Sequence, residues 1–306
     1  MYRICFVVLL GLVPLLCSRP GQAQETKALR MIVTRDKQEA QQMHQQLQQG
    51  ASFSALAGAK SIGAERRAWG YSGLVRLTEV QPELRPVLQK LRPGEISEVL
   101  TVGKRFIIVK VLSPDIARHF ETAERALKEK QYPRAIQALK AALALEPDSV
   151  QTYLKLGVAY DLAGQYEESI SAFETAQRSA PQEPQILIML GATYTRLAVQ
   201  KKQRTHAQQA VQAFEQALKL DNRLAPAVHF GLGKVYLAAL RQPETALPHL
   251  EQAVKNTPHT PELYRLLIQA YYDTQRYQQA LQQLRLAQSL GYDFPDLREA
   301  LAKVKK

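Results

Sequence analysis

The chain has 306 residues, 46% apolar and 22% charged, with 40 Lys and Arg against 28 Asp and Glu for a net charge of +12. Those proportions exclude a disordered tail or a fibrous repeat and suit two globular domains. Both cysteines, Cys5 and Cys17, fall in the first 20 residues, so the body of the chain has no thiol for a disulfide, a zinc cluster or a nucleophile. His44, His119, His206, His229, His249 and His259 are scattered without ligand spacing, and no Gly-rich phosphate loop or spaced Ser/His/Asp set occurs. No metal, no cofactor and no catalytic residue is therefore expected.

Residues 1–23 read as an export signal. Arg3 gives a positive start, Ile4 to Leu16 is an apolar run of 13 residues, and Gly21-Gln22-Ala23 is a small-residue junction. A membrane span needs about 20 apolar residues, and this run is shorter. Lipid attachment at Cys17 is disfavoured by the bulky Leu15-Leu16 before it. The mature chain is expected to begin at Gln24, to keep a charge of +10, to have no transmembrane segment and to reside in the periplasm.

Residues 26–112 have the texture of a small α+β domain. Ala28 to Thr34 is a strand-like run, Asp36 can cap the helix that follows, and Gly50 ends that helix. Helices over Ser52 to Ala59 and Pro82 to Leu91 come next, then strands over Ile96 to Val102 and Arg105 to Leu112 joined at Gly103-Lys104. Two stretches, EAQQMHQQLQQGASFSALAGAKSIG and LRPGEISEVLTVGKRFIIVKVL, resemble the parvulin-type peptidyl-prolyl isomerases, in their G-x-x-F-x-x-L-A-x-x-x-S and L-x-P-G-E-I-S-x-x-V patterns. The resemblance implies a four-stranded sheet flanked by helices. It also implies a site for proline peptides, but its polar residues do not carry over. Met31 and Ile107 stand where the family has histidines, Gly63 falls near its Cys or Asp, and the glycine-rich stretch is shortened to Ala68-Trp69-Gly70-Tyr71. What remains of the pocket is apolar: Met31, Trp69, Val80, Leu84 and Ile107. Losing one preorganised donor costs other enzymes about 100- to 1000-fold, so binding without catalysis is expected.

From Ile116 the pattern turns helical and repeats. Leu156-Gly157, Tyr160, Phe173, Ala176 and Pro181 match the tetratricopeptide (TPR) signature, which recurs about every 34 residues. One unit earlier lie Ala123, Ala135, Leu139, Ala142 and Pro147; later units carry Leu190-Gly191, Tyr194, Ala210, Phe214 and Ala217, then Leu232-Gly233, Tyr236, Ala246, Leu250, Ala253 and Pro258, then Tyr264, Leu267, Tyr271, Ala280, Leu284 and Ala287. Residues 116–292 are thus expected to stack as five units of an all-α solenoid, with 293–306 as a capping helix. The glycines should let paired helices approach, and Tyr160, Tyr194, Tyr236 and Tyr271 should fill the space between units. The TPR resemblance implies a concave groove lined by first helices. Its counterparts here are Phe120, Leu154, Ile188, Phe230 and Tyr272, with Lys234 and Arg265 nearby, a mixture suited to an apolar peptide of some acidic character.

Together these readings describe an exported adaptor or chaperone-like protein whose partners are proteins or peptides. Basic density is modest and no aromatic stripe accompanies it, so nucleic acid is not expected. An active prolyl isomerase for envelope proteins and a structural subunit of an envelope assembly are the alternatives.

Overall fold

The computed structural model describes residues 25–257 and 260–304; the expected export signal, Cys17, Pro258, His259, Lys305 and Lys306 lie outside them. Strand β1 (Thr26–Thr34) is followed by α1 (Lys37–Gln48), α2 (Phe53–Lys60), α3 (Ala64–Arg67) and β2 (Tyr71–Arg76), then by α4 (Arg85–Lys90), β3 (Leu100–Val102) and β4 (Arg105–Leu112). The strands form one antiparallel sheet in the order β2-β1-β4-β3. Asp36 caps α1 as its position suggests, accepting from the backbone N–H of Gln38 at 2.7 Å, and Ser52 caps α2.

Two sequence expectations need correction. The strand expected over Ile96 to Val102 is regular only from Leu100; Ile96 makes an isolated bridge to Lys110, and the Ser97 hydroxyl accepts the Val109 N–H at 2.9 Å. A side chain there takes a donor that a ladder would use. The edge strand β2 has no counterpart in the sequence pattern, because Gly73 at φ +75° interrupts the alternation that marks a strand.

Side chains alternate across β1 and define two faces. Leu29, Met31 and Val33 join Ile107, Val109 and Val111 of β4 and Leu77, Leu84 and Leu88 in one apolar cluster. On the other face, Ile32 packs with Met43, Leu47, Phe53 and Ala57 of α1 and α2, while Ala28 packs with Ile116, Ala117 and Phe120 beyond the sheet.

Helices α5 (Pro114–Lys128) to α14 (Tyr277–Ser289) form five antiparallel pairs, and α15 (Pro295–Val304) closes the described chain. Helices α6 (Tyr132–Leu145) and α8 (Tyr166–Ser179) stop just before Pro147 and Pro181, which cannot continue the hydrogen-bond ladder. The small residues sit where the pairs touch. A β-carbon at Gly157 would lie 2.5 Å from the Phe173 ring, one at Gly191 would lie 2.9 Å from Phe214, and one at Gly233 would fall within 2.4 Å of Leu250. Tyr194 and Tyr271 bridge neighbouring units, donating to Glu174 at 2.8 Å and Glu251 at 2.6 Å. Tyr236 stacks on His249 of its own unit and packs against the apolar clusters on both sides of it. The third pair, α9 (Pro184–Lys201) and α10 (Arg204–Leu220), is extended by the extra residues between its halves.

Helix contact at the glycines sets the spacing of the array. Gly157→Val should lower stability by about 1–3 kcal/mol in urea unfolding, because the Phe173 ring has nowhere to go. Adding Phe173→Leu should recover part of that loss.

Candidate functional site

Four of the five expected pocket residues share one side of the sheet. Met31, Val80, Leu84 and Ile107 belong to the same apolar cluster, with Leu84 and Ile107 only 5% and 7% exposed. Met31 faces Val109 across the ladder and Val33 faces Ile107, so the two positions that resemble the family's histidines are diagonal neighbours. Their surroundings, Leu77 and Leu88 included, are apolar. Gly63, at φ +77°, opens α3 on the exposed surface.

Trp69 is not part of that pocket. Its ring lies against Gly58, where an added β-carbon would come within 2.3 Å, and it packs on the core of the second and third helix pairs, which contains Val150, Ile186, Leu187 and Leu190. Tyr71 likewise points at the repeats, its ring edge-on to Phe120 of α5 at 4.9 Å. Burial pushes the Tyr71 phenol up to about 12, with Arg30 opposing, so it stays neutral.

The centre of this contact is Arg30. It projects from the middle of β1 and is fully buried. Its Nε and Nη2 donate to Glu146 at 2.9 and 2.8 Å, Nη2 donates to Ser149 at 2.7 Å, and Nη1 donates to the Trp69 carbonyl at 2.8 Å and to Gln151 at 3.3 Å. All five guanidinium N–H groups are thereby used. Glu146, 3% exposed, also accepts from Lys110 at 3.4 Å. Beside it the N-terminal domain caps a repeat helix: Ser54 accepts the first N–H of α7 (Val150–Leu162) at 2.9 Å and donates to the Asp148 carbonyl at 3.2 Å. Further along, Arg66 of α3 counteracts the upward push that burial gives the Glu183 carboxyl at the start of α9.

This docking divides the expected groove. Phe120 is 3% exposed beneath Tyr71 and is covered by the chain's own N-terminal domain, which corrects its assignment to a peptide groove. Leu154 and Ile188 are half-buried against the core that also receives Trp69. Phe230 on α11 (Ala225–Lys234) and Tyr272 on α13 (Pro261–Asp273) are half-buried in a separate cluster of the last repeats. Lys234 pairs with Glu262, and Arg265 pairs with Asp296 at 2.5 Å. Both cations are neutralised within the chain, which removes the reason for expecting an acidic partner. An open depression of about 690 Å³ lies elsewhere, lined by Tyr132, Lys140, Tyr160 and Glu168 among others. Among the described residues no cluster of three or more metal-ligating side chains occurs, and no helix is long and apolar enough to cross a membrane.

Removing one member of a buried pair leaves the other charge uncompensated, at a cost of about 3–5 kcal/mol. Glu146→Gln should destabilise the protein on that scale in urea unfolding. Arg30→Met with Glu146→Leu should cost less than the two single changes added together. In the Arg30→Met chain, emission from Trp69, the only tryptophan, should shift to the red before the repeats lose helical circular dichroism.

Comparison with known proteins agrees with this division. The PPIC-type PPIASE domain family matches residues 22–125, and tetratricopeptide repeat families match 126–192, 197–241 and 237–304. No curated protein matches the chain by sequence. Among solved structures, PilF of Pseudomonas aeruginosa is 19% identical with a TM-score of 0.52, over 62% of this chain and 84% of that one. A thermophilic TPR protein of Thermus thermophilus is 22% identical with a TM-score of 0.50, over 61% and 97%. A tetratricopeptide repeat protein of Parabacteroides merdae is 13% identical with a TM-score of 0.52, over 62% and 72%. At these identities the likeness is one of fold. The chain carries a PPIC-type domain followed by tetratricopeptide repeats.

Proposed function

We propose that this is an exported adaptor of chaperone-like character, in which the PPIC-type domain holds the first repeats and the later repeats take another polypeptide. The observation that carries the reading is the docking through Arg30. One side of the N-terminal sheet and the first helices of the early repeats cover each other, whereas Phe230 and Tyr272 remain half-exposed on α11 and α13. An apolar or aromatic segment suits those positions better than an acidic one, since Lys234 and Arg265 already have carboxylate partners. Export rests on residues 1–23 and puts the partner in the envelope.

In this reading the PPIC-type domain is catalytically silent. Rotation about an X-Pro bond crosses about 18–20 kcal/mol, and lowering that barrier needs polar groups fixed around the twisting amide. Met31 and Ile107 offer none, and ground-state apolar contact alone does not accelerate the step.

Three measurements test the proposal. N-terminal sequencing of the secreted protein should begin at or near Gln24. Phe230→Ala with Tyr272→Ala should weaken capture of an envelope partner by the full chain at least about tenfold while circular dichroism is unchanged, because each aromatic anchor at an interface contributes more than about 1 kcal/mol. Unchanged capture removes the later repeats as the binding site. In a peptide isomerisation assay the full chain should give no acceleration above background; a rate within about tenfold of an active parvulin establishes an isomerase instead.

A further inference from the structure

The fourth helix pair carries two helix irregularities, a π-helical turn and an internal proline. Helix α11 runs into a π-helical turn, Val235–Ala239, where the Leu240 N–H reaches the Val235 carbonyl at 3.0 Å. Pro248 lies inside α12 (Pro243–Asn256), where it can offer no N–H to the preceding turn. The buried core divides at the same place. Val228, Leu232 and Val235 close the cluster of the second and third pairs, while Leu237, Ala246 and Leu247 open the cluster of the last repeats.

Two histidines bridge this seam. His229 on α11 and His249 on α12 place their Nδ1 atoms 3.0 Å apart, with ring centres at 5.2 Å, and Tyr236 of the π-turn stacks on His249 at 5.6 Å and 10°. We propose that His229 and His249 form a proton-controlled joint that holds α11 against α12 when at most one extra proton is present and loosens when both rings are charged.

The hydrogen-bond chemistry dictates that threshold. In the neutral pair one Nδ1–H donates and the other Nδ1 accepts; one added proton preserves that bond and strengthens it. A second proton puts two N–H groups and two positive charges face to face, so the bond is lost and repulsion replaces it. The charged groups around the pair do not reverse this order. Burial first, and His229 second, hold His249 below the usual imidazole range; Glu215 of α10 opposes them, and Tyr236, itself pushed up by burial, stays neutral. A histidine with a lowered folded pKa is protonated more readily in the unfolded chain. The contribution of that lowered group is therefore fully present above about pH 6.5 and is lost as the second proton binds at lower pH, by at most about tenfold in the opening equilibrium per pH unit. Phe230 adjoins His229 on α11, so loosening of the pair reaches the position to which the proposed function assigns binding.

Hydrogen exchange on the full chain tests the joint, comparing about pH 7.5 with about pH 5 after correction for intrinsic rates. Protection of residues 225–256 should fall severalfold at the lower pH, by no more than about 30-fold for one proton, while residues 114–179 keep theirs. The same fall in a His229→Gln, His249→Gln chain, or no fall in the unaltered chain, overturns the proposal. A second measurement needs no variant: NMR titration of the imidazole protons should show two separated steps for this pair, and two ordinary titrations near pH 6.5 overturn it.

Discussion

A guanidinium buried in the middle of a β-strand fixes how the two halves of this protein meet. Arg30 cannot face an apolar layer alone, because an unpaired buried charge costs several kcal/mol. Its five donors find Glu146, Ser149, Gln151 and the Trp69 carbonyl, and three of these four residues belong to the junction between α6 and α7. The planar fork of arginine suits this bidentate contact, and a lysine would leave several acceptors unserved. Docking is therefore a condition for burying β1, and the Ser54 cap and the Tyr71–Phe120 contact follow from the same placement.

That condition decides which surfaces are open. The face of the sheet bearing Met31 and Ile107 points away from the repeats, while the face bearing Arg30 is occupied by them. A domain whose family resemblance suggests peptide chemistry is here the foundation of a solenoid. The later repeats have a core of their own and, among the described residues, no comparable cover from the N-terminal domain, which is what supports the proposal that they bind the partner.

Much of this is legible from local pattern. The spacing of glycines, tyrosines and prolines locates the helix pairs, and Asp36 locates a cap, because both depend on residues a few positions apart. Placement across long separations is not legible. An arginine within the run ALRMIVT is a visible oddity, yet its acceptor lies in the LEPDS loop, whose local pattern marks only a helix stop. Resemblance groups Trp69 with Val80 and Leu84, but Gly73 hides the edge strand β2 that follows it, and with it the direction in which Trp69 and Tyr71 face. Lys234 and Arg265 read as free cations because Glu262 and Asp296 are 28 and 31 residues away.

Helix α5 belongs to both halves. The PPIC-type family match reaches residue 125, through most of α5, while the same helix packs against α6 as the first member of the first repeat. Arg30 and Glu146 are 116 residues apart, so the strand made first must wait for the loop after α6 before its charge can be buried. A chain emerging from its N-terminus thus has a long interval in which β1 is complete in sequence but not in partners. Contacts of such separation slow folding, since loop closure must precede the stabilising pairing. Arg30 acquires its buried partners only once the loop after the first repeat can reach it.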